Sequence, residues 1–317
     1  MNTVINGGSR GSHPGSHSTG LDPRWLSIPQ ESNFRYWSPW LFLFVILWGV
    51  VLYATFPNSA DLIRKNWVFI PIGVAGALLG NISAVGGGIV FIPCMIFIFH
   101  LPPVIALKIA LATQSFGMSS GAIGWLQKNV IPLNALKIAA PGLLIGSTIS
   151  SFVISPSALL VKLLFGPVSI LIGVLTLVLS RRSKTGKRTR DVPPEARWPL
   201  FFTAILGGVV TGWIAIGEGE LVAALLMLAY GVDVASAIGL GVVLLAVNSI
   251  YLTFIHQFYL GGIPWDYAAF TGLGAVFGAR LAPWLSRHVN PDVLKTIFAV
   301  IAIGDGLIFV VQYLATH

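Results

Sequence analysis

Two carboxylates, Glu218 and Glu220, interrupt an apolar stretch that reads Gly212-Trp213-Ile214-Ala215-Ile216-Gly217-Glu218-Gly219-Glu220-Leu221-Val222. Ionisable groups in such a run are costly to bury, and function is the first reading for them. Their chemistry would be the uptake and release of a proton, or an encounter with a charged solute. A helix start favours a carboxylate, so the plainer reading is that one or both only cap backbone N–H groups. Two residues apart on a regular helix, they point to different faces and cannot serve one site equally. Asp305, between Gly304 and Gly306 in the last apolar run, is a third carboxylate at depth. Glu218, Glu220 and Asp305 are the candidate proton-coupling residues.

The stretch that holds the glutamates has an earlier counterpart, Gly80-Asn81-Ile82-Ser83-Ala84-Val85-Gly86-Gly87-Gly88-Ile89-Val90. At the offset that takes Gly80 to Gly212, Ile82/Ile214, Gly87/Gly219 and Val90/Val222 are also identical. Three successive glycines let the backbone leave the helical region inside an apolar segment. A duplicated, glycine-broken segment is the best sequence pointer to a transporter's binding site. A helix that starts after such a break turns unpaired N–H groups and the positive end of its dipole into the membrane, which suits a small anion. The candidate substrate-binding set is Asn81, Ser83, Gly86, Gly87, Gly88, Gln114, Ser115, Trp213, Gly217, Gly219 and Asn248. For the hydroxyls and amides among them, the alternative is that they only join helices by hydrogen bonds. A negative group beside an anion site repels the anion unless protonated, which points to proton-linked transport.

The elements that must position these residues are membrane helices. Only 9% of the 317 residues are charged and 55% are hydrophobic, against about 25% charged in a soluble domain. The formal charge of +8 gathers in loops, above all in Arg181-Arg182-Ser183-Lys184-Thr185-Gly186-Lys187-Arg188-Thr189-Arg190. That is the positive-inside pattern, and no nucleic-acid partner is expected. One cysteine, Cys94, leaves no intrachain disulfide and no cysteine metal cluster. No metal or cofactor is expected.

The chain divides into a flexible Ser/Gly-rich arm (1–36), an extra N-terminal helix (37–66), a first repeat (67–180), a basic linker (181–198) and a second repeat (199–317). The arm precedes the first apolar run, so no cleaved leader is expected. Residues Asp61 to Lys65 read as a polar break. Segments are expected at 67–85, 86–100, 104–127, 133–153 and 158–180, then at 199–217, 218–231, 234–257, 264–285 and 291–314. The runs 86–100 and 218–231 are too short to cross a ~30 Å hydrocarbon core. Each repeat is therefore a glycine-broken helical hairpin followed by three transmembrane helices. An odd number of crossings per repeat makes the two repeats inverted. The expected fold is an all-α polytopic membrane protein of two inverted-topology repeats, with the N-terminus and linker cytoplasmic. Lys108 and Arg280 are expected to snorkel from helix ends, Asp233 and Asp266 to start helices, and His256 to lie at the interface.

Gly73, Gly76 and Gly80, followed by Gly86-Gly87-Gly88-Ile89-Val90-Phe91-Ile92-Pro93, resemble the first-repeat signature of the TauE/SafE family of sulfite exporters and sulfonate permeases. The resemblance covers 67–314, and Gly212 to Val222 stands where that family repeats the signature. There the chain departs from it: Glu218 and Glu220 replace glycines, and Leu225 stands where proline would. The resemblance implies a transporter in the cell membrane for sulfite, a sulfonate or a related small anion, with the lipid bilayer as its surroundings. The alternatives are an anion channel and an intramembrane enzyme. No HExxH motif is present and His100, His256 and His288 lack ligand spacing, so an enzyme is not expected.

Overall fold

The computed structural model describes residues 34–83, 86–127, 129–182, 192–288 and 291–316, and among them the chain is helical, with no strand. Helix α1 (Phe34–Thr55) turns through 119° into α2 (Ser59–Asn66). The expected polar break at Asp61 to Lys65 is thus a helix. Asp61 sits in its first turn and Arg64 and Lys65 in its last, each at the end the helix dipole favours. α1 itself begins at Phe34, inside the expected arm; residues 1–33 lie outside the described residues.

Two sets of helices follow. The first is α3 (Phe69–Ser83), α4 (Gly88–Pro93), α5 (Pro103–Gln127), α6 (Leu133–Thr148) and α7 (Ala158–Arg182). The second is α8 (Arg197–Ile214), α9 (Glu218–Ala224), α10 (Val234–Phe258), α11 (Trp265–His288) and α12 (Pro291–Thr316). Both short helices run on into a π-helical turn, Cys94–Ile98 after α4 and Leu225–Ala229 after α9. The second turn forms without a proline, so Leu225 in place of proline leaves this local form intact. The broken hairpin arms are short, since Gly88–Ile98 spans only ~17 Å as helix.

Four helical runs among the described residues are long and apolar enough to cross a membrane: Leu133–Val153, Ala158–Val178, Pro194–Ile214 and Val234–Phe258. The bent pair α1–α2 makes a fifth if it counts as one span. α5 matches them in length, but Thr113, Gln114, Ser115, Ser119 and Ser120 make it more polar. Its polar residues are turned inward, and from Ala106 to Gln114 every residue is buried.

Packing exchanges partners between the two sets. α3 lies along α11, and α8 along α6, at backbone contact distance. A Cβ built on Gly278 would fall 2.2 Å from the Val74 carbonyl oxygen, and one on Gly146 2.0 Å from that of Ile205. Glycine lets these helices touch backbone to backbone, the usual means of helix association where lipid offers no hydrophobic driving force. The other two long pairings join helices of equal rank. α5 runs antiparallel to α10: Lys108 meets Leu260, Ser115 meets Thr253, and Trp125 packs on Gly239. α7 runs antiparallel to α12, with Gly166 against Phe309 and Gly173 against Ala299. α1 stays at the periphery, held by Trp48, whose Nε1 donates to the Ala269 carbonyl at 3.0 Å.

Candidate functional site

The two chain breaks meet. On the first side, Gly86 takes φ +81° and α4 starts at Gly88, with Gly87 as its N-cap. On the second, α8 ends with Ala215 in the left-handed region (φ 56°, ψ 23°) and α9 starts after Gly217 at φ +116°. Gly88 packs directly on the second break, for a Cβ there would lie 2.4 Å from the Ala215 carbonyl oxygen. Gln114 of α5 reaches both. Its Nε2 donates to the Ala215 carbonyl at 2.7 Å, and its amide is the nearest neighbour of Gly86. Ser249 of α10 donates to Gln114 Oε1 at 3.3 Å.

Three residues after Ala215, in the first turn of α9, stands Glu218. The residue is fully buried, and its Oε2 accepts from Asn248 Nδ2. Asn248 Oδ1 accepts in turn from Ser147 Oγ at 2.6 Å, and Ser147 also reaches the Gly208 carbonyl at 3.3 Å. Thr211 closes the loop around the break: it accepts from the Glu218 N–H at 3.3 Å and donates to the Ile216 carbonyl at 3.1 Å. α6, α8, α9 and α10 thus all contribute to one buried chain of hydrogen bonds. Glu218 Oε1 and both carboxyl oxygens of Glu220 have no hydrogen-bond partner among the described residues. Glu220 is also buried, 4% exposed, and the backbone dipoles of Gly217 and of Glu220 itself act on it. Neither glutamate makes an ion pair among the described residues.

Other expected residues lie elsewhere. Asn81 donates to the carbonyls of Ala77 at 2.8 Å and Gly117 at 3.4 Å, which fixes α3 to α5 rather than joining the network. Ser115 pairs with Thr253 at 2.8 Å on the α5–α10 seam. Trp213 commits its indole N–H to the Ile154 carbonyl at 2.7 Å. Gly219 is buried in the first turn of α9. The Ser83 side chain lies outside the described residues. Asp305 stands apart on α12, half-buried and near enough for its charge to act on Cys94.

Asp233 caps α10, accepting from the N–H groups of Ala235 at 3.1 Å and Ser236 at 3.2 Å. Asp266 falls in the first turn of α11. His256, expected at the interface, is instead fully buried, because the antiparallel start of α5 covers that end of α10. Among the described residues no three His, Cys, Asp or Glu side chains converge as metal ligands.

Ser147 and Thr211 were not singled out by sequence. Hydroxyls are common on membrane helices and carry little signal alone. Ser147 follows Gly146, which packs on the Ile205 backbone, and only the folded chain shows that its hydroxyl points to Asn248.

Apolar helices around a buried polar centre where two broken helices meet are the build of a membrane transporter. The chain belongs to the sulfite exporter TauE/SafE family, whose model matches residues 68–308. It is similar to the probable membrane transporter protein YunE of Bacillus subtilis (strain 168), at 22% identity over 264 residues, 75% of this chain and 95% of that one. No solved structure matches the chain significantly.

Proposed function

We propose that the protein is a secondary transporter that carries a small sulfur-containing anion, sulfite or an organosulfonate, across the cell membrane by alternating access, coupled to protons through Glu218. The observation that carries the proposal is the meeting of both chain breaks at Gln114, with Glu218 buried in the same centre. The substrate class comes from the family and from the similarity in the glycine-rich signature.

The antiparallel pairs α5–α10 and α7–α12 and the exchanged pairs α3–α11 and α6–α8 support two inverted repeats, 67–180 and 199–317. In such a carrier the starts of α4 and α9 face the anion with free N–H groups. Gly86, Gly87 and Gly88 allow the backbone to approach the anion closely, as Gly217 and Gly219 do on the other side. Gln114, hydrogen-bonded to the second break and packed beside Gly86 of the first, holds them in register and offers an amide when they part. Positive-inside placement puts the N-terminus and the 181–198 linker in the cytoplasm.

Glu218 is the proton site. Asn248 donates to Oε2, so Oε1 is the oxygen on which a proton would sit. A neutral carboxyl admits the anion and a charged one repels it, which ties movement of one to the other. Glu220, next along α9, is the second candidate, and Asp305 a relay on α12.

The experiment is flux of sulfite and of two-carbon sulfonates in proteoliposomes, with and without an imposed proton gradient. Saturable, gradient-sensitive flux supports the carrier. Flux that fails to saturate indicates a channel, a covalently altered solute indicates an enzyme, and no flux of any sulfur anion removes the substrate class.

A further inference from the structure

About 9 Å along α5 from Gln114, at the end where α5 and α10 meet the Tyr259–Gly262 turn, a second polar group is left over. Lys108 is buried, 7% exposed, and its Nζ donates to the Leu260 carbonyl at 2.5 Å. An ammonium has three donors, and one is used. His256 is fully buried, and neither ring nitrogen has a hydrogen-bond partner among the described residues. It lies close enough to Lys108 for the ammonium charge to act on the ring. Neither residue makes an ion pair among the described residues.

Gln257, the nearest polar side chain in sequence, is occupied: its Oε1 accepts from Ile263 N at 3.1 Å and from Trp265 Nε1 at 2.8 Å. The turn opens this corner outward. Gly261 is exposed, and a Cβ there would stand 3.7 Å from Lys108 Nζ. Gly261 and Gly262 take φ +83° and +84°, and the Gly262 N–H closes the turn on the His256 carbonyl at 2.9 Å. A largely buried lysine whose ammonium has no counter-charge among the described residues, and a buried imidazole without a partner among them, are both costly unless something accepts their hydrogen bonds.

We propose that Lys108 and His256, beneath the Gly261–Gly262 turn, form a second anion site that takes a small oxyanion. The ligand supplies the missing negative charge, accepting from the free donors of Lys108 and from the imidazole N–H. Less than two turns of α5 separate this site from Gln114, so it is placed as a waiting site on the route to the broken-helix centre. That last point rests on the transport reading; the binding itself does not.

The test uses the full-length protein in detergent with nitrogen-15 in its histidine rings, titrated with sulfite, sulfate and chloride at constant ionic strength. His256→Gln assigns the His256 ring signal among the six histidines. The expected result is a saturable shift of that signal with sulfite or sulfate, absent with chloride and lost in Lys108→Gln. A second variant, Lys108→Arg, keeps the charge and restores the shift, which a role confined to packing would not require. A His256 signal that no oxyanion moves in folded wild-type protein overturns the site. Transport failing while the signal still shifts would remove the carrier reading and leave the site. Transport intact with a signal that stays still would do the reverse.

Discussion

Gln114 Nε2 donates to the carbonyl of Ala215 at 2.7 Å, so a side chain from the middle of α5 holds the backbone of the break between α8 and α9. The same amide borders Gly86 at the other break. Removing it leaves a buried carbonyl without its donor, at a cost of about 1–3 kcal/mol. Gln114→Ala should therefore lower the melting temperature of the purified protein and reduce sulfite flux by about tenfold or more, the equivalent of ~1.4 kcal/mol. Gln114→Glu keeps the length and loses the donor, and should fail similarly. Wild-type flux in Gln114→Ala, with protein levels matched, would show that the amide has no part in transport.

Glu218 and Asn248 make one interaction with two separable consequences. Glu218→Gln is nearly isosteric but cannot titrate. It should leave a folded protein whose flux no longer responds to a proton gradient. Asn248→Ala leaves the carboxyl buried without the Asn248 donor and Ser147 with only its longer bond to the Gly208 carbonyl, so it should lose stability as well, by about 2 kcal/mol. Glu220→Gln separates the two carboxyls, because Glu220 has no hydrogen bond to lose among the described residues. If gradient sensitivity survives Glu218→Gln and disappears in Glu220→Gln, the coupling residue is Glu220. The readout is initial flux at a series of imposed gradients.

The breaks at Gly86 to Gly88 and at Gly217 were legible because glycine is the residue such backbone needs, and each sits in an apolar run with nothing else to explain it. Ala215 gave no such signal. An alanine in the left-handed region looks like any helix alanine until its dihedrals are known. The helix at Asp61 to Lys65 was missed because a short polar run between apolar segments reads as a loop. Its helical order is set by the bend back from α1 and by Asn66, whose amide donates to the Asp266 carbonyl at 2.7 Å. His256 was misplaced for a different reason. Distance from a helix end predicts the interface only if no neighbour covers that end, and the pairing of α5 with α10 is a tertiary fact.

Ala215 offers a prediction about backbone strain. A non-glycine residue at φ 56° costs of order 1 kcal/mol, held by the hydrogen bond from its own N–H to the Thr211 carbonyl at 2.7 Å. Ala215→Gly should release this strain and raise the melting temperature by a few degrees. Ala215→Val puts a β-branched residue in that region and should destabilise the protein. Equal melting temperatures for all three would show that the break does not hold this residue left-handed in the membrane. The same Gly variant loosens the break, so its flux, measured alongside, reports whether a rigid carbonyl at Ala215 is needed to seat Gln114.

Gly146 on α6 and Gly278 on α11 carry the last prediction, because their contacts hold the two halves together. A Cβ on Gly146 would fall 2.0 Å from the Ile205 carbonyl oxygen, while one on Gly124 would meet nothing within 4 Å. Both glycines lie within helices, so alanine improves intrinsic helix propensity at each by up to ~1 kcal/mol. At Gly124 that gain should appear as unchanged or slightly raised stability. At Gly146 the helices must separate to admit the methyl group, an overpacking cost of about 1–3 kcal/mol that outweighs the propensity. Gly278→Ala, facing the Val74 carbonyl at 2.2 Å, should behave like Gly146→Ala. The measurement is the folded fraction recovered in detergent by size-exclusion chromatography together with the melting temperature. Similar losses at 146 and 278 with none at 124 are expected if α6–α8 and α3–α11 are equivalent seams. A loss at only one of the two would show that the seams contribute unequally, and that the equivalence of the two halves ends at their helix pairs.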